Sequence, residues 1–284
     1  MQVLTSSWDV TPVIRDWQRN VDRIGFVPTM GNLHEGHLRL IRVAKQQTDR
    51  VVVSIYVNPL QFGQLDKGDD FKHYPRTLKK DLQKLEQLGV DLVFTPDDQS
   101  MYPNGCEQSS FVEVPSWLST QLEGAHRAGH FRGVATIVTK LFNIVQPDVA
   151  VFGEKDFQQL LVIRQLVQDL NMPIEIVGEP TIREGDGLAL SSRNQHLTKQ
   201  ERLIAPGLYE VLSEIRERIL LQNMAMADLE QAAIMQLEQQ GFSPDYVAIR
   251  HSETLQEPEN PEDSLVILAA ARLGKTRLID NLRV

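Results

Sequence analysis

The feature that most constrains this chain is the alternation of short apolar runs with helical patterns between residues 24 and 177. The β-branched run VVVSIYV at 51–57 predicts a strand, and leucine recurs at helical spacing over 78–88 behind Thr77, a residue type that caps helices. We expect strands at 24–28, 51–57, 90–95, 149–152 and 174–177, and helices at 33–47, 78–88, 133–146 and 155–170. This alternation is typical of a parallel sheet with helices on both faces, which binds ligands at the carboxyl ends of its strands.

The alternation of apolar strand and helix patterns ends near residue 181. The segment TIREGDGLALSSRNQHLT is polar, contains glycine and has weak periodicity. Helical patterns follow at 199–221 and 227–240, and short apolar runs follow at 245–250, 265–271 and 276–282. We therefore expect a first domain over 1–181 and a smaller α+β domain over 182–284.

Composition limits the classes of protein that this sequence can represent. With 284 residues, of which 42% are hydrophobic and 24% charged, the chain can bury a core and is neither disordered nor fibrous. A single cysteine, Cys106, excludes an intrachain disulfide and a multi-cysteine zinc site, and it is typical of a reducing, cytoplasmic compartment. The net charge of −9 argues against generic nucleic-acid binding. No window approaches about 18 apolar residues and the N-terminus has no signal pattern, which argues against a membrane span and secretion.

The segment PTMGNLHEGH, residues 28–37, follows the first predicted strand. Gly31 permits a tight turn, and the three-residue spacing of His34 and His37 would place both imidazoles on one helix face. At a helix N-terminus, the free backbone N–H groups and the helix dipole attract phosphate. Two imidazoles at that place can donate hydrogen bonds to the phosphate during reaction. A metal pair and two surface histidines remain alternative interpretations. The metal interpretation lacks a third ligand nearby, because Glu35 would lie on another face.

Two further segments stand at predicted strand ends. Asn58 and Gln61 follow the second strand, where amides can bind hydroxyl and carboxylate groups, although an ordinary turn is the alternative. In GEKD, 153–156, glycine would allow close backbone approach and Lys155 would place a charge on phosphate oxygens. The alternative there is a solvated helix start.

The segment LSSR at 190–193 offers two hydroxyls and one guanidinium, which suits phosphate binding on a mobile loop. A plain linker is the alternative. Arg127, His130 and Arg132 lie in a glycine-bearing segment before a predicted helix. They can be interpreted as lining an anionic entrance or as a solvated polar loop.

The segment PTMGNLHEGH resembles the HxGH signature of the nucleotidyltransferase superfamily, and with five later segments it makes the chain similar to the pantoate–β-alanine ligase family, the pantothenate synthetases. These segments are VNPLQF at 57–62, YPRT at 74–77, EGAHRAGHFRGV at 123–134, FGEKDFQQL at 152–160 and DGLALSSRN at 186–194. The resemblance runs over essentially the whole chain. One departure is Ala128, where many relatives have proline, and it bears on loop stiffness more than on chemistry.

The resemblance implies an α/β fold, with a Rossmann-like, doubly wound parallel sheet over 1–181 as the nucleotide- and pantoate-binding domain. The smaller C-terminal α+β domain, 182–284, would close over the ATP site. The implied activity is ATP-dependent condensation of (R)-pantoate with β-alanine to give pantothenate, AMP and diphosphate through an enzyme-bound pantoyl-adenylate. Mg²⁺ would arrive bound to ATP, with its protein ligands unknown and Asp81 one candidate. A cytoplasmic homodimer in the coenzyme A pathway, with no nucleic acid or membrane partner, is also implied.

The resemblance also implies roles for individual residues. His34, His37 and Lys155 would be catalytic, with His37 the proton donor. Gln61 and Gln159 would orient pantoate, with Asn58 also in the substrate site and Gln158 a spectator. The implied nucleotide-binding residues are Met30, Gly31, Asn32, Leu33, His34, Glu35, Gly36, His37, Gly153, Glu154, Lys155, Asp156, Ile182, Leu190, Ser191, Ser192 and Arg193.

Three other functions compete with this interpretation. Another HxGH nucleotidyltransferase would release a nucleotidylated product and would not need β-alanine. A metal-dependent hydrolase built on His34 and His37 would need a bound transition metal. A non-catalytic ATP sensor would bind ATP without pantoate-dependent exchange of pyrophosphate.

Overall fold

The computed structural model describes residues 1–62, 70–221, 224–260 and 263–284. It divides the chain into two compact units. Unit 1 contains residues 1–154 and 158–180, and unit 2 contains residues 155–157 and 181–284. None of the helices in the described ranges is long and apolar enough to cross a membrane.

Unit 1 is built on a parallel sheet, as the alternating pattern predicted. Among the described residues its strands are β1 Gln2–Leu4, β2 Ile24–Thr29, β3 Arg50–Ile55, β4 Leu92–Phe94, β5 Val149–Gly153 and β6 Glu175–Glu179. They lie in the order β1-β4-β3-β2-β5-β6, and every neighbouring pair is parallel.

The helices of unit 1 cover both faces of this sheet. They are α1 Ser7–Arg19, α2 Glu35–Gln47, α3 Asp70–His73, α4 Leu78–Gln87, α5 Asp98–Met101, α6 Ser116–Ser119, α7 Glu123–His126, α8 His130–Val145 and α9 Phe157–Asp169, whose first residue belongs to unit 2. Phe26 packs in one buried cluster with residues of α1, α8 and α9. Its neighbour Val27 packs in another with residues of α2 and α4. Since successive side chains of a strand point to opposite faces, the sheet is doubly wound.

The start of the chain contains two elements that the sequence interpretation did not predict. Strand β1 pairs with β4 over only three residues. Helix α1 begins after Ser6, whose hydroxyl accepts a hydrogen bond from the Trp8 N–H at 3.2 Å. The helix buries Val10 and Ile14 at helical spacing, so its signal was present in the sequence.

Unit 2 combines helices with an antiparallel sheet. Its elements are α10 Lys199–Ile204, α11 Gly207–Leu220, α12 Met226–Gln239, β7 Ser243–His251, β8 Leu265–Leu273 and β9 Thr276–Arg283. The strands lie in the order β7-β8-β9, and helices α11 and α12 share one buried cluster with them. The helix predicted at 199–221 is divided in two at Pro206, which has no N–H to donate to the preceding turn.

Candidate active site

The predicted site residues of unit 1 follow the carboxyl ends of neighbouring strands. Strand β2 lies between β3 and β5, so the strand order reverses at this point. The loop 30–34 follows β2, the turn Pro59–Phe62 follows β3, and Gly153 ends β5. Open α/β sheets bind ligands in the crevice at such a reversal. A Cβ atom at Gly153 would meet nothing within 4 Å, so space is open beside it.

The two histidines lie side by side at the beginning of α2. His34 is extended at the N-cap, with φ −125° and ψ 176°, and His37 lies in the first turn. The ring centroids are 4.1 Å apart. The backbone N–H of His34 donates to Nδ1 of His37 at 3.3 Å. Because Nδ1 accepts, a neutral His37 carries its proton on Nε2 as a donor.

The expected shared helix face is therefore not what brings the rings together, because His34 precedes the helix. Gly36 leaves room for the His34 ring, since a Cβ atom there would lie only 3.0 Å from both Cε1 and Nδ1 of His34. Glu35 points away, with its side chain 55% exposed and paired with Arg42. Any contact that Glu35 makes with a nucleotide would therefore involve its backbone.

A buried carboxylate holds the loop before the histidines. Asp81 of α4 is 1% exposed and accepts hydrogen bonds from the backbone N–H groups of Asn32 and Leu33, each at 2.9 Å. The Thr77 hydroxyl donates to the same carboxylate at 3.0 Å, and Lys84 donates to the Leu33 carbonyl. Thr77 occupies the predicted N-cap position, but no side-chain capping bond is present there. The sequence interpretation treats Asp81 only as a candidate metal ligand; its spacing of four residues from the buried Leu85 is the available signal for an anchor.

The turn after β3 brings Gln61 against the loop after β2. The Gln61 side-chain amide donates to Sδ of Met30 at 3.1 Å. Asn58 is 1% exposed, and its amide faces the protein: Nδ2 donates to the Gly133 carbonyl at 3.1 Å, and Oδ1 accepts from the Tyr102 hydroxyl at 2.7 Å. Burial raises the pKa of Tyr102 well above its ordinary value, so the phenol stays a donor. This geometry gives Asn58 a supporting position behind Gln61.

Adjacent glutamines of α9 have different surroundings. Gln158 is 2% exposed, accepts from the Glu123 N–H at 3.0 Å and donates to the carbonyls of Leu118 and Gln121 at 2.8 and 3.0 Å. It therefore fastens the segment around α6 and α7. That Gln158 is a spectator to the substrate stays a prediction. Gln159 is half-buried.

In unit 2, predicted phosphate ligands from two distant motifs line one narrow cleft. Lys155, Ser191 and Arg193 share this cleft with Asp280 of β9. The Lys155 carbonyl accepts a hydrogen bond from Nδ2 of Asn281 at 2.9 Å. The Ser191 hydroxyl accepts from the Arg193 N–H at 3.2 Å and caps the short 3₁₀ helix Ser192–His196.

A hairpin carries this serine segment. The Leu190 N–H donates to the Ile182 carbonyl at 2.9 Å, which closes the hairpin. Arg183 forms a bidentate pair with Asp280, at 2.5 and 2.8 Å, and lies over the ring of Tyr209 at 3.8 Å. The Asp280 side chain is 3% exposed. Burial raises the pKa of Asp280, while the hydrogen bonds and charge of Arg183 act in the opposite direction.

The basic segment predicted to precede a helix at 133–146 reaches into the first turn of α8, which begins at His130, and its side chains are divided between surface and interior. Arg132 forms an ion pair with Glu113 at 2.6 Å, and both side chains are at least half exposed. His130 is 6% exposed and contacts the Gln61 carbonyl through Nδ1 at 2.7 Å.

A family model described as pantoate-beta-alanine ligase matches residues 2–283. The chain is 52% identical to the pantothenate synthetase of Shewanella oneidensis over 275 residues, which cover 97% of this chain and 96% of that protein. It is 57% identical to the pantothenate synthetase of Pseudomonas fluorescens over 262 residues, 92% of this chain and 90% of that one.

Solved structures give the same similarity. The crystal structure of pantothenate synthetase from Thermus thermophilus superposes with a TM-score of 0.91 at 44% identity, covering 99% of both chains. Pantoate-beta-alanine ligase from Francisella tularensis, crystallised with beta-gamma ATP and beta-alanine, superposes with a TM-score of 0.84 at 35% identity, covering 100% of this chain and 97% of that one.

Proposed function

Because this chain belongs to the pantoate-beta-alanine ligase family, we propose that it joins (R)-pantoate to β-alanine with ATP, giving pantothenate, AMP and diphosphate. The observation that carries this proposal is the pair of adjacent imidazoles, His34 and His37, at the beginning of a helix and at the strand-order reversal of a parallel sheet. The backbone N–H groups and the dipole at the beginning of a helix favour phosphate.

The chemistry requires an activated carboxylate. A carboxylate does not acylate an amine in neutral water, because its leaving group is poor. The pantoate carboxylate attacks the α-phosphorus of ATP, forming an O–P bond as the bond to diphosphate breaks. The amine of β-alanine then attacks the acyl carbon of the pantoyl-adenylate, the bond to AMP breaks, and the amine loses its proton. Positioning and stabilisation of charge supply most of the catalysis.

His37 is assigned the donor role toward the phosphate because its Nδ1 accepts from the His34 backbone, which leaves the proton on Nε2. His34 contacts the same phosphates from the N-cap. The loop 31–33 is held by Asp81 and Lys84, so these groups are preorganised before ATP arrives.

In unit 2, Lys155 and Arg193 compensate phosphate charge, and Ser191 and Ser192 bind the nucleotide with the backbone of Ile182. The support is the cleft that Lys155, Ser191 and Arg193 share. Gln61 and Gln159 orient pantoate. Asn58 acts by positioning Gln61, because its own amide is directed into the protein.

Mg²⁺ belongs to this proposal as a companion of ATP. In the described ranges no three histidine, cysteine, aspartate or glutamate side chains group as a metal cage. Mg²⁺ commonly keeps several waters and binds substrate phosphates with one or two carboxylates, and it would neutralise phosphate charge. Homodimeric assembly, a cytoplasmic location and a place in the coenzyme A pathway belong to the same proposal. Light scattering of the purified chain tests the assembly.

The decisive experiment measures AMP formation with pantoate, β-alanine and ATP, omitting one component at a time. The proposal expects AMP and an amide product only when all three are present. Release of a nucleotidylated product without β-alanine would support another nucleotidyltransferase. ATP binding without pantoate-dependent exchange of pyrophosphate into ATP would support a sensor.

A further inference from the structure

The substrate residue Gln61 is held through its own backbone by the start of α8. Nδ1 of His130 lies 2.7 Å from the Gln61 carbonyl oxygen, and Nη2 of Arg127 lies 3.5 Å from it. The buried position of His130, 6% exposed, shields this contact from water. A buried hydrogen bond to a carbonyl costs stability when its donor is lost.

The neighbours of His130 fix which ring nitrogen carries the proton. A carbonyl only accepts, so Nδ1 must be the donor toward Gln61. Nη1 of Arg127 lies 3.2 Å from the other ring nitrogen, Nε2, and a guanidinium only donates. Nε2 must therefore accept. The two contacts together require a neutral imidazole with its proton on Nδ1.

Two more contacts join the same pair of segments. A Cβ atom at Gly133 would lie 2.5 Å from the Leu60 carbonyl carbon and 2.6 Å from the Gln61 nitrogen, so the helix backbone packs directly on this peptide. The Gly133 carbonyl accepts from Nδ2 of Asn58, which precedes the turn. The first turn of α8 thus holds the turn Pro59–Phe62 through the His130 side chain and through the backbone of Gly133.

We propose that His130 is a positioning residue for pantoate: in its Nδ1-protonated form it fixes the Gln61 backbone, so that the Gln61 amide meets the substrate. The inference rests on the proposed function, in which Gln61 orients pantoate. In this inference the EGAHRAGHFRGV segment supports the pantoate site through His130, and it need not line an anionic entrance.

The test compares three variants of the full chain. His130→Ala removes the donor, and we expect the KM for pantoate to rise about tenfold to a hundredfold, with the KM values for ATP and β-alanine within about twofold of wild type. His130→Asn places an amide N–H near the position of Nδ1, and we expect it to restore the pantoate KM to within about threefold. His130→Gln places its amide near the position of Nε2, and we expect no such rescue. Gln61→Ala provides the reference for a lost pantoate contact.

Equal KM values for pantoate in wild type and His130→Ala would overturn the inference, and so would equal increases for all three substrates. If His130→Ala does not fold, the Asn and Gln variants are compared with each other. The same KM for pantoate in both variants, whether at the wild-type value or above it, would overturn the inference. Wild-type chain that forms no AMP in the omission assay would instead defeat the proposed function. In that case ¹⁵N NMR of the His130 ring still tests the geometry. A proton on Nδ1 supports the contact with Gln61, and a proton on Nε2 alone refutes it.

Discussion

The histidine loop of unit 1, residues 30–37, and the serine loop of unit 2, residues 190–193, are fixed in different ways. The N–H groups of Asn32 and Leu33 bind Asp81, a buried side chain 49 and 48 residues away along the chain. In the serine loop, the described hydrogen bonds include local ones, from the Arg193 N–H to the Ser191 hydroxyl at 3.2 Å and from the Asn194 side chain to the Ala189 carbonyl at 3.0 Å.

Long-range support for the serine loop lies at the base of its hairpin. Arg183 binds Asp280, 97 residues away. The histidine loop is therefore anchored at Asn32 and Leu33, directly beside His34. The serine loop has a buried anchor at Arg183, several residues before Ser191. In the proposed function, this difference means that the phosphate-binding groups of the histidine loop are preorganised by a buried contact beside them, whereas those of the serine loop follow a buried anchor several residues earlier.

The largest effect is expected from Arg183→Met, which leaves the buried carboxylate of Asp280 without its partner. Breaking a buried pair from one side destabilises by about 3–5 kcal/mol. Urea unfolding of the full chain, followed by far-UV ellipticity, measures the loss. Arg202→Met is the control, because Arg202 binds Glu184 and Asp186 on the same hairpin but is 31% exposed. Equal losses in both variants would show that the Asp280 pair is not the anchor of the hairpin.

The next effect concerns the directly anchored loop. His37→Ala removes a donor that is preorganised, so the rate of adenylation should fall about 10²–10³-fold with the fold unchanged. Pantoate-dependent exchange of labelled pyrophosphate into ATP measures this step. His73→Ala, at an exposed histidine of α3, is the control and should keep the wild-type rate. Normal exchange in His37→Ala would remove the role of His37.

A smaller effect is expected from Asp81→Asn. The amide keeps one oxygen, but its NH₂ group must face either the Leu33 N–H or the Asn32 N–H, so a buried donor loses its acceptor in both orientations. This costs about 1–3 kcal/mol of unfolding free energy. Tryptophan fluorescence reports unit 1 during urea unfolding, because Trp8, Trp17 and Trp117 all lie there.

Glu86→Gln is the matched control for Asp81→Asn, since Glu86 is an exposed acid on the same helix. A loss of stability equal to that of the control would mean that the carboxylate of Asp81 does not anchor the histidine loop.

Local patterns in the sequence predicted the elements whose periodicity is strong. The β-branched run at 51–57 became β3, and the leucines at 78–88 became α4. Strand β1 has only three residues, too few for a pattern of its own, and it exists because β4 pairs with it. At Pro206 a local signal was present, and the prediction of one helix over 199–221 overlooked it.

The site was predictable as a set of segments but not as a set of contacts. An amide side chain has the same donors and acceptors whether it faces a ligand or the protein interior. Asn58 and Gln158 face the interior because residues 35–75 positions away bind them. For the same reason the sequence did not reveal the contact of His130 with Gln61, which lies 69 positions earlier. Spacing reveals neighbours on one element, whereas these roles depend on contacts between elements.

The smallest effect is expected from the exposed ion pair of the same hairpin, Asp186 with Arg202. Asp186 binds Arg202 at 2.6 Å with its side chain 43% exposed, and this hydrogen bond lowers the pKa of Asp186. A lowered folded-state pKa adds stability above the ordinary aspartate pKa of about 3.9, and this stability is lost as pH falls through the folded-state pKa. Wild type should exceed Asp186→Asn by at most about 1 kcal/mol at pH 7, because solvent screens the pair, and by nothing measurable near pH 2. Urea unfolding at both pH values, with and without added salt, measures the difference. If the loss of stability in Asp186→Asn equalled that in Arg183→Met, or grew as pH fell, burial would not be the reason that the Arg183–Asp280 pair stabilises the fold more than the Arg202–Asp186 pair.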